Sequence, residues 1–240
     1  MKAPARVALY GAFLLSGGAA LVYESIWSRY LGLLLGHSAF AQVLVLTVFL
    51  GGMAVGAALT GWRSERLKAP LLWYAAVEII VGVVGFVFHD LFGAVSAGLY
   101  EHIFPAIGQS PALLASAKSV AAALLILPQS ILLGATFPLM SAGVLRWMPQ
   151  RSGGILGWLY ATNSLGAALG VLVAGFYLTP RFGFPGTLAA AAVLNLSAGA
   201  LAIAVHALMR GAATADGRPA TTAAAATLPE ADARLRTVLL

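Results

Sequence analysis

The chain has 240 residues, of which 60% are hydrophobic and 9% are charged. Soluble domains carry about 25% charged residues, so this chain has too few charges to cover a soluble surface. A disordered chain needs the opposite composition, with low hydrophobicity and high net charge. Both classes are excluded, and the composition is that of an integral membrane protein. Because the sequence has no cysteine, it also excludes disulfides, thiolate metal sites and iron–sulfur clusters.

Six stretches are long enough for a membrane helix, which needs about 20 mostly apolar residues. The predicted spans are residues 7–34, 38–62, 70–92, 111–147, 153–178 and 185–209. Residues 89–107 predict a short amphipathic helix that lies on the membrane surface between the third and fourth spans. The predicted fold is therefore all-α, a polytopic transmembrane helical bundle of six spans over residues 1–210.

The fourth stretch is longer than one crossing requires, so it could also be a hairpin of two short spans. Since cytoplasmic loops carry an excess of Lys and Arg, the basic residues decide between six and seven spans. With six spans and the N-terminus inside, most of them are cytoplasmic: Lys2, Arg6, Arg63, Arg66, Lys68, Arg146, Arg151, Arg210, Arg218, Arg234 and Arg236. Seven spans would divide the basic residues evenly. We therefore expect six spans in the cell (inner) membrane, both termini cytoplasmic, and a kink at Pro128 in the fourth helix.

The net charge of +6 arises from basic clusters between apolar runs, a pattern that indicates membrane orientation and not nucleic-acid binding. Residues 211–240 differ from the rest of the chain. Up to residue 229 they are mainly Ala, Thr, Gly and Pro, which predicts a flexible cytoplasmic tail or linker. Residues 230–240 become apolar again, so we expect the tail to lead to a further segment of a longer product.

Charged residues inside the spans are the first candidates for a binding site, because each is costly in the bilayer. By helical rise, Glu24 in the first span and Lys118 in the fourth reach a similar depth, which makes an ion pair feasible. Arg29 lies one to two turns above Glu24 and could share its carboxylate. These three residues could bind a charged solute or relay protons. Alternatively, they form a structural pair, with Arg29 extending to the interface.

Three further polar residues lie within the predicted spans. Glu78 could bind a cation inside the bundle, or it could be a lone protonated carboxyl group. Asn163 and Asn195 each lie ten residues into their spans and could contact substrate, although hydrogen bonding between helices is the commoner use of such residues. Two ridges of small residues, Gly52–Gly56 and Gly166–Gly170, predict close helix packing.

Four stretches together resemble the membrane domain of spermidine-synthase-like integral membrane proteins. They are Ser16–Glu24 with Trp27–Arg29, Phe49–Gly56, Leu127–Gln129 with Gly134–Leu139, and Leu159–Ala167. In that family a major-facilitator-like bundle is fused to, or encoded with, an aminopropyltransferase domain. The resemblance covers about residues 10–210 and implies a bundle equivalent to half of a major-facilitator transporter. Ser164 stands where the family pattern more often has Thr.

The resemblance also implies spermidine synthase association, but no nucleotide-binding domain lies in these 240 residues. We assign no catalytic residue, cofactor or metal, and expect this chain alone to be inactive as an aminopropyltransferase. The predicted substrate-binding residues are Glu24, Arg29, Glu78, Lys118 and Asn163. The motif residues with an expected gating or structural role are Glu65, Arg66, Pro128, Gly134, Thr136, Pro138 and Tyr160. Of these, Glu65 and Arg66 resemble a degenerate form of the cytoplasmic gating motif of major-facilitator proteins, or are simply a solvated loop.

Two classes of function follow from these observations. In the first, the chain anchors a polyamine-synthesising enzyme in the membrane, with movement of cationic, polyamine-type solutes as a further role. In the second, it is a half-size or split transporter, or a membrane scaffold, unrelated to polyamines. The expected partners are the lipid bilayer and either a second copy, a sister membrane half or an aminopropyltransferase domain, with no nucleic acid.

Overall fold

The computed structural model describes residues 3–36, 38–147 and 152–215, which are helical almost throughout and contain no strand. The helices are α1 (Ala3–Leu35), α2 (Ser38–Ser64), α3 (Pro70–Gly98), α4 (Phe104–Ile107), α5 (Pro111–Leu145), α6 (Ser152–Val173) and α7 (Thr179–Ala215). π-Helical turns at Leu99–Ile103 and Ala174–Leu178 join α3 to α4 and α6 to α7. The all-helical class predicted from the composition is confirmed.

Helix boundaries follow the local chemistry of the sequence. Helix α3 begins at Pro70 and α5 at Pro111, where the missing N–H of proline costs no intrahelical hydrogen bond. The Ser110 side chain accepts a hydrogen bond from the Leu113 N–H at 3.4 Å and caps α5. Gly36, directly after α1, has a φ of 79°, the left-handed conformation that ends many helices.

The structure differs from the sequence-based expectations for three segments. The predicted surface helix at residues 89–107 is not separate, because the chain is helical without a break over Pro70–Ile107. The alternative hairpin in the fourth stretch is not formed either, since α5 is one helix of 35 residues that continues past Pro128. Helix α7 extends to Ala215, five residues into the predicted linker. The remainder of that linker, residues 216–240, lies outside the described residues.

Five helical stretches in the described part of the chain are long and apolar enough to cross a membrane. The fifth, Gly153–Ala212, has 60 residues, about three times the length that one crossing requires. Gly183 interrupts it with a non-helical φ of 66° and ψ of −171°. A methyl group on Gly18 would lie 3.3 Å from the Gly166 carbonyl oxygen and 3.8 Å from Leu194 Cδ1. Since α1 contacts both sides of the break, this stretch folds back on itself.

The long helices pack in a pattern with internal symmetry. The most extensive pairs are α2 with α5, α1 with α6 and α3 with α7, followed by α1 with α7 and α3 with α5. Exchanging α1, α2 and α3 for α5, α6 and α7, in that order, leaves this set of pairs unchanged. The five most extensive helix pairs therefore have this symmetry, whereas α1 packs on α2 much more extensively than α5 packs on α6.

The two predicted ridges of small residues make equivalent contacts in this arrangement. A Cβ atom on Gly56 would overlap the Ile131 backbone of α5, and one on Gly166 would overlap the Leu14 backbone of α1. Such close approach of two backbones is possible only where a side chain is absent. The packing role predicted for both ridges is confirmed.

Candidate functional site

A cleft of about 660 Å³ opens beside the second half of α1. Its lining combines two charged side chains with hydroxyl and amide groups: Glu24, Ser25, Ser28, Arg29, Gly32, Leu33, Gly36, Gln42 and Val171. Helix α1 supplies most of these residues, while α2 and α6 contribute one residue each. The cleft therefore lies on the face of α1 that is turned towards α2 and α6.

Glu24 is the acidic group of this cleft and is half-buried. The predicted ion pair with Lys118 is not formed, and no ion pair of either side chain occurs among the described residues. Lys118 instead places its ammonium group 5.5 Å from the centre of the Phe104 ring. Helical rise predicted a similar depth for the two residues, but Glu24 lines the cleft beside α2 and α6 whereas Lys118 lies against the segment after α3.

Arg29, the cation of the cleft, is exposed. Its guanidinium carbon lies 6.0 Å from the centre of the Phe184 ring, at the outer limit for a cation–π contact. Within the described residues it forms no ion pair with Glu24, so the carboxylate stays available. Together with the oxygens of Ser28 and Gln42, Glu24 presents hydrogen-bond acceptors of the kind that an ammonium group requires.

A second polar site lies in the middle of the bundle, between α1, α3 and α7. Glu78 is completely buried there, and the Asn195 side-chain N–H donates to its Oε2 at 2.5 Å. The hydroxyl groups of Ser16 and Tyr74 also lie beside the carboxyl group. Tyr74 donates in addition to the Ala12 carbonyl oxygen at 3.4 Å. Three polar side chains, one each from α1, α3 and α7, thus converge on one carboxyl group.

The structure separates the two asparagines that the sequence placed at similar depth. Asn195 reaches Glu78, but Asn163 lies against Gly17, where its backbone and side-chain oxygens occupy the space that a Cβ would fill. Asn163 is therefore a contact of the α1–α6 packing surface and does not line the cleft. Of the five predicted binding residues, the structure brings only Glu24 and Arg29 together.

The α5 residues singled out from the sequence differ in their surroundings. Gly134 touches Met53 of α2 so closely that a Cβ would overlap its backbone. Thr136 donates to the Leu133 carbonyl oxygen at 2.7 Å, and Pro128 and Pro138 both lie inside the helix. Tyr160, in α6, is exposed. Of these positions, Gly134 shows close packing of α5 on α2, whereas Pro128 is exposed and the Thr136 bond lies within α5.

The loop between α2 and α3 is held by a residue that sequence reasoning did not single out. Arg146, directly after α5, donates to the backbone oxygens of Lys68 at 2.7 Å and Glu65 at 3.0 Å. The Arg66 guanidinium stacks on Trp62, with 4.9 Å between guanidinium carbon and ring centre. Glu65 and Arg66 form no ion pair with each other in the described part of the chain. One indication of this contact was present in the sequence: Arg146 and the basic residues of the α2–α3 loop were both predicted to lie on the cytoplasmic side.

Over 181 residues the chain is 28% identical to a protein of Corynebacterium efficiens named polyamine aminopropyltransferase. The aligned stretch is 74% of this chain but only 31% of that relative. No family model matches the chain, and no solved structure matches it. The chain is thus distantly similar to one part of a protein with a polyamine-related name.

Proposed function

We propose that this chain is an integral membrane domain that binds a polyamine-type cation and anchors an aminopropyltransferase to the membrane. The observation that carries the proposal is the Glu24 cleft, a half-buried carboxylate with hydroxyl and amide neighbours and no ion-pair partner among the described residues. The distant similarity to a polyamine aminopropyltransferase names the cation class that suits such a site. Since the chain spans about a third of that relative, the enzymatic activity is assigned to a partner domain.

The membrane arrangement that we propose has six crossings with both ends in the cytoplasm of a cell (inner) membrane. The break at Gly183 supports the sixth crossing, because it divides a helical stretch of 60 residues into two helices that both contact α1. Arg146 and the basic residues of the α2–α3 loop lie at the same end of the bundle. Because cytoplasmic loops are rich in Lys and Arg, this supports a cytoplasmic location for that end.

The proposal predicts that Glu24→Gln weakens the binding of a diamine. A hydrogen bond to a charged group contributes about 1.5–3 kcal/mol, which corresponds to roughly a 10- to 100-fold weaker Kd. We would measure equilibrium binding of labelled putrescine to the protein in lipid nanodiscs. Glu101→Gln, which changes an exposed glutamate away from the cleft, is the matched control and should bind as the unmodified protein does. Equal binding by Glu24→Gln and the unmodified protein would refute the assignment of this cleft.

One observation favours a second function, that of a half-size or split transporter. The symmetric set of helix pairs is typical of two three-helix repeats, which form one half of some transporters. In such transporters the substrate path lies between two halves. A second copy or a sister half would then supply the other wall. Uptake of a cation into proteoliposomes without any aminopropyltransferase would favour this function over the anchoring function.

A further inference from the structure

Glu78 is the most deeply buried charge-bearing group in the described residues, and the amine-binding proposal does not use it. Its side chain is 0% exposed, and its Oε1 has no hydrogen-bond partner of good geometry. A carboxylate that is buried without a cation is costly, whereas its protonated form is neutral. The group is therefore placed where the gain or loss of one proton changes the energy of the bundle.

No cation from the neighbouring helices neutralises Glu78 in the described structure. The titratable groups that face it are Tyr23 from α1 and Tyr74 from its own helix α3. Helix α7 contributes the amide of Asn195, which bonds Glu78. Helix α5 contributes the amide of Gln129, which bonds α3 at Val81, one turn after Glu78. Neither amide carries a charge, so the charge of the site is that of Glu78 itself.

Polar atoms continue from Glu78 along the seam between α1 and α3. Gln129 donates to the Val81 carbonyl oxygen at 3.2 Å, while its own Oε1 has no partner. The Tyr23 hydroxyl, also buried without a partner, lies against Gly85, about 10 Å along the helix from Glu78. Trp27, stacked on Tyr23, has a buried N–H without a partner. Internal water is the usual partner of buried polar atoms of this kind.

The seam reaches the surface at His89. The Tyr30 hydroxyl lies 2.8 Å from His89 Nδ1, and the His89 side chain is exposed. His89 is about 16 Å from Glu78 along α3, and Gln129 and Tyr23 contact α3 between them, at Val81 and at Gly85. A route with hydrogen-bonding groups at intervals thus joins Glu78 to this end of the bundle.

Towards the beginning of α3 the bundle contains both apolar and polar groups. Leu9, Phe13 and Leu71 are each at most 1% exposed. The Tyr74 hydroxyl, one turn from Glu78, donates to the Ala12 carbonyl oxygen. His206 of α7, whose Nε2 is buried without a partner in the described structure, lies towards the same end. Polar groups therefore lie on both sides of Glu78 along α3.

We propose that Glu78 is a membrane-embedded proton-binding site that exchanges its proton with water at the His89 end of the bundle. The proton leaves Oε1 of the neutral carboxyl group and reaches bulk water with the Tyr23 hydroxyl as the relay, which accepts a proton on its oxygen as it releases its own. This leaves a carboxylate that Asn195 stabilises. The reverse transfer restores the neutral group. The inference stands on the α1–α3 seam and does not depend on an amine in the Glu24 cleft.

Infrared difference spectroscopy on the full chain in lipid nanodiscs tests the proposal. The carbonyl stretch of a protonated carboxylic acid should titrate with pH, disappear in Glu78→Gln and persist in Glu24→Gln. In deuterated buffer, Tyr23→Phe should slow the exchange of this band about tenfold, the effect of removing one hydrogen-bonding link. Tyr10→Phe, on the same helix but outside the polar seam, should exchange at the unmodified rate.

Two results would overturn the proposal. One is a carboxylic acid band that Glu78→Gln leaves unchanged, since another group would then hold the proton. The other is exchange at the unmodified rate in Tyr23→Phe, which would exclude the seam as the route. Because the second measurement is made with Glu78 in place, it remains decisive even if Glu78→Gln does not fold.

Discussion

Replacing Gly166 by valine is expected to prevent the bundle from assembling. The first atom of the new side chain would overlap the carbonyl group of Leu14 in α1, and backbone cannot move aside as a flexible side chain can. Overpacking of a close contact costs typically 1–3 kcal/mol and occasionally more. We expect the upper end of this range or beyond, because the whole helix must shift and the neighbouring contact of Gly170 with Gly18 would be lost with it.

Fluorescence-detected size exclusion and thermal denaturation in detergent would measure this effect. Gly157→Val is the matched control, since Gly157 lies on the same helix and a Cβ there meets nothing within 4 Å. The control should elute and melt as the unmodified protein does. If the two variants were equally stable, the packing of α6 on α1 described above would be incorrect.

The second large effect is expected for Asn195→Leu. This change removes the amide that donates to Oε2 of Glu78 and leaves a completely buried carboxyl group without that hydrogen bond. An unsatisfied buried polar group costs about 1–3 kcal/mol. Since 1 kcal/mol shifts the Tm by about 2–4 °C in a chain of this size, we expect a decrease of roughly 2–12 °C.

The double variant Glu78→Met with Asn195→Leu separates a lost interaction from a packing defect. Removing both polar partners in favour of apolar groups of similar shape is nearly neutral, so the double variant should regain most of the lost Tm. Val193→Leu, an exposed change on the same helix, controls for the added leucine. A double variant whose Tm decrease equals the sum of the single decreases would show that the two side chains are not coupled.

Composition and periodicity predicted the helices well, because the thickness of a bilayer fixes how long an apolar helix must be. The ridges Gly52–Gly56 and Gly166–Gly170 were likewise identifiable, since only small residues let two backbones approach closely. The reversal at Gly183 falls in the polar gap between the last two predicted spans, although the structure keeps helical turns on both sides of it.

The contacts within the site could not be predicted in the same way. Helical rise gives the depth of a residue, but it does not say which neighbouring helix the residue faces. Helical rise predicted a similar depth for Glu24 and Lys118, and yet they have different neighbours in the bundle. Glu78 and Asn195 are 117 residues apart, and only the packing of α3 on α7 brings them together.

The same argument applies to Arg146. Its bonds to the backbone of the α2–α3 loop depend on where α5 ends relative to α2, a relation that no local pattern in the sequence encodes. The position of a residue along its helix can thus be predicted from the sequence. Which neighbouring helix the residue faces is determined by packing.

The most direct test of the central claim compares putrescine with the uncharged diol of the same length. Both are titrated calorimetrically against the full chain in nanodiscs at low and at high salt. If a half-buried carboxylate recognises a cationic amine, putrescine binds, its affinity falls as salt increases, and the diol does not bind. Equal binding of diamine and diol, or putrescine binding that salt leaves unchanged, would contradict recognition by Glu24.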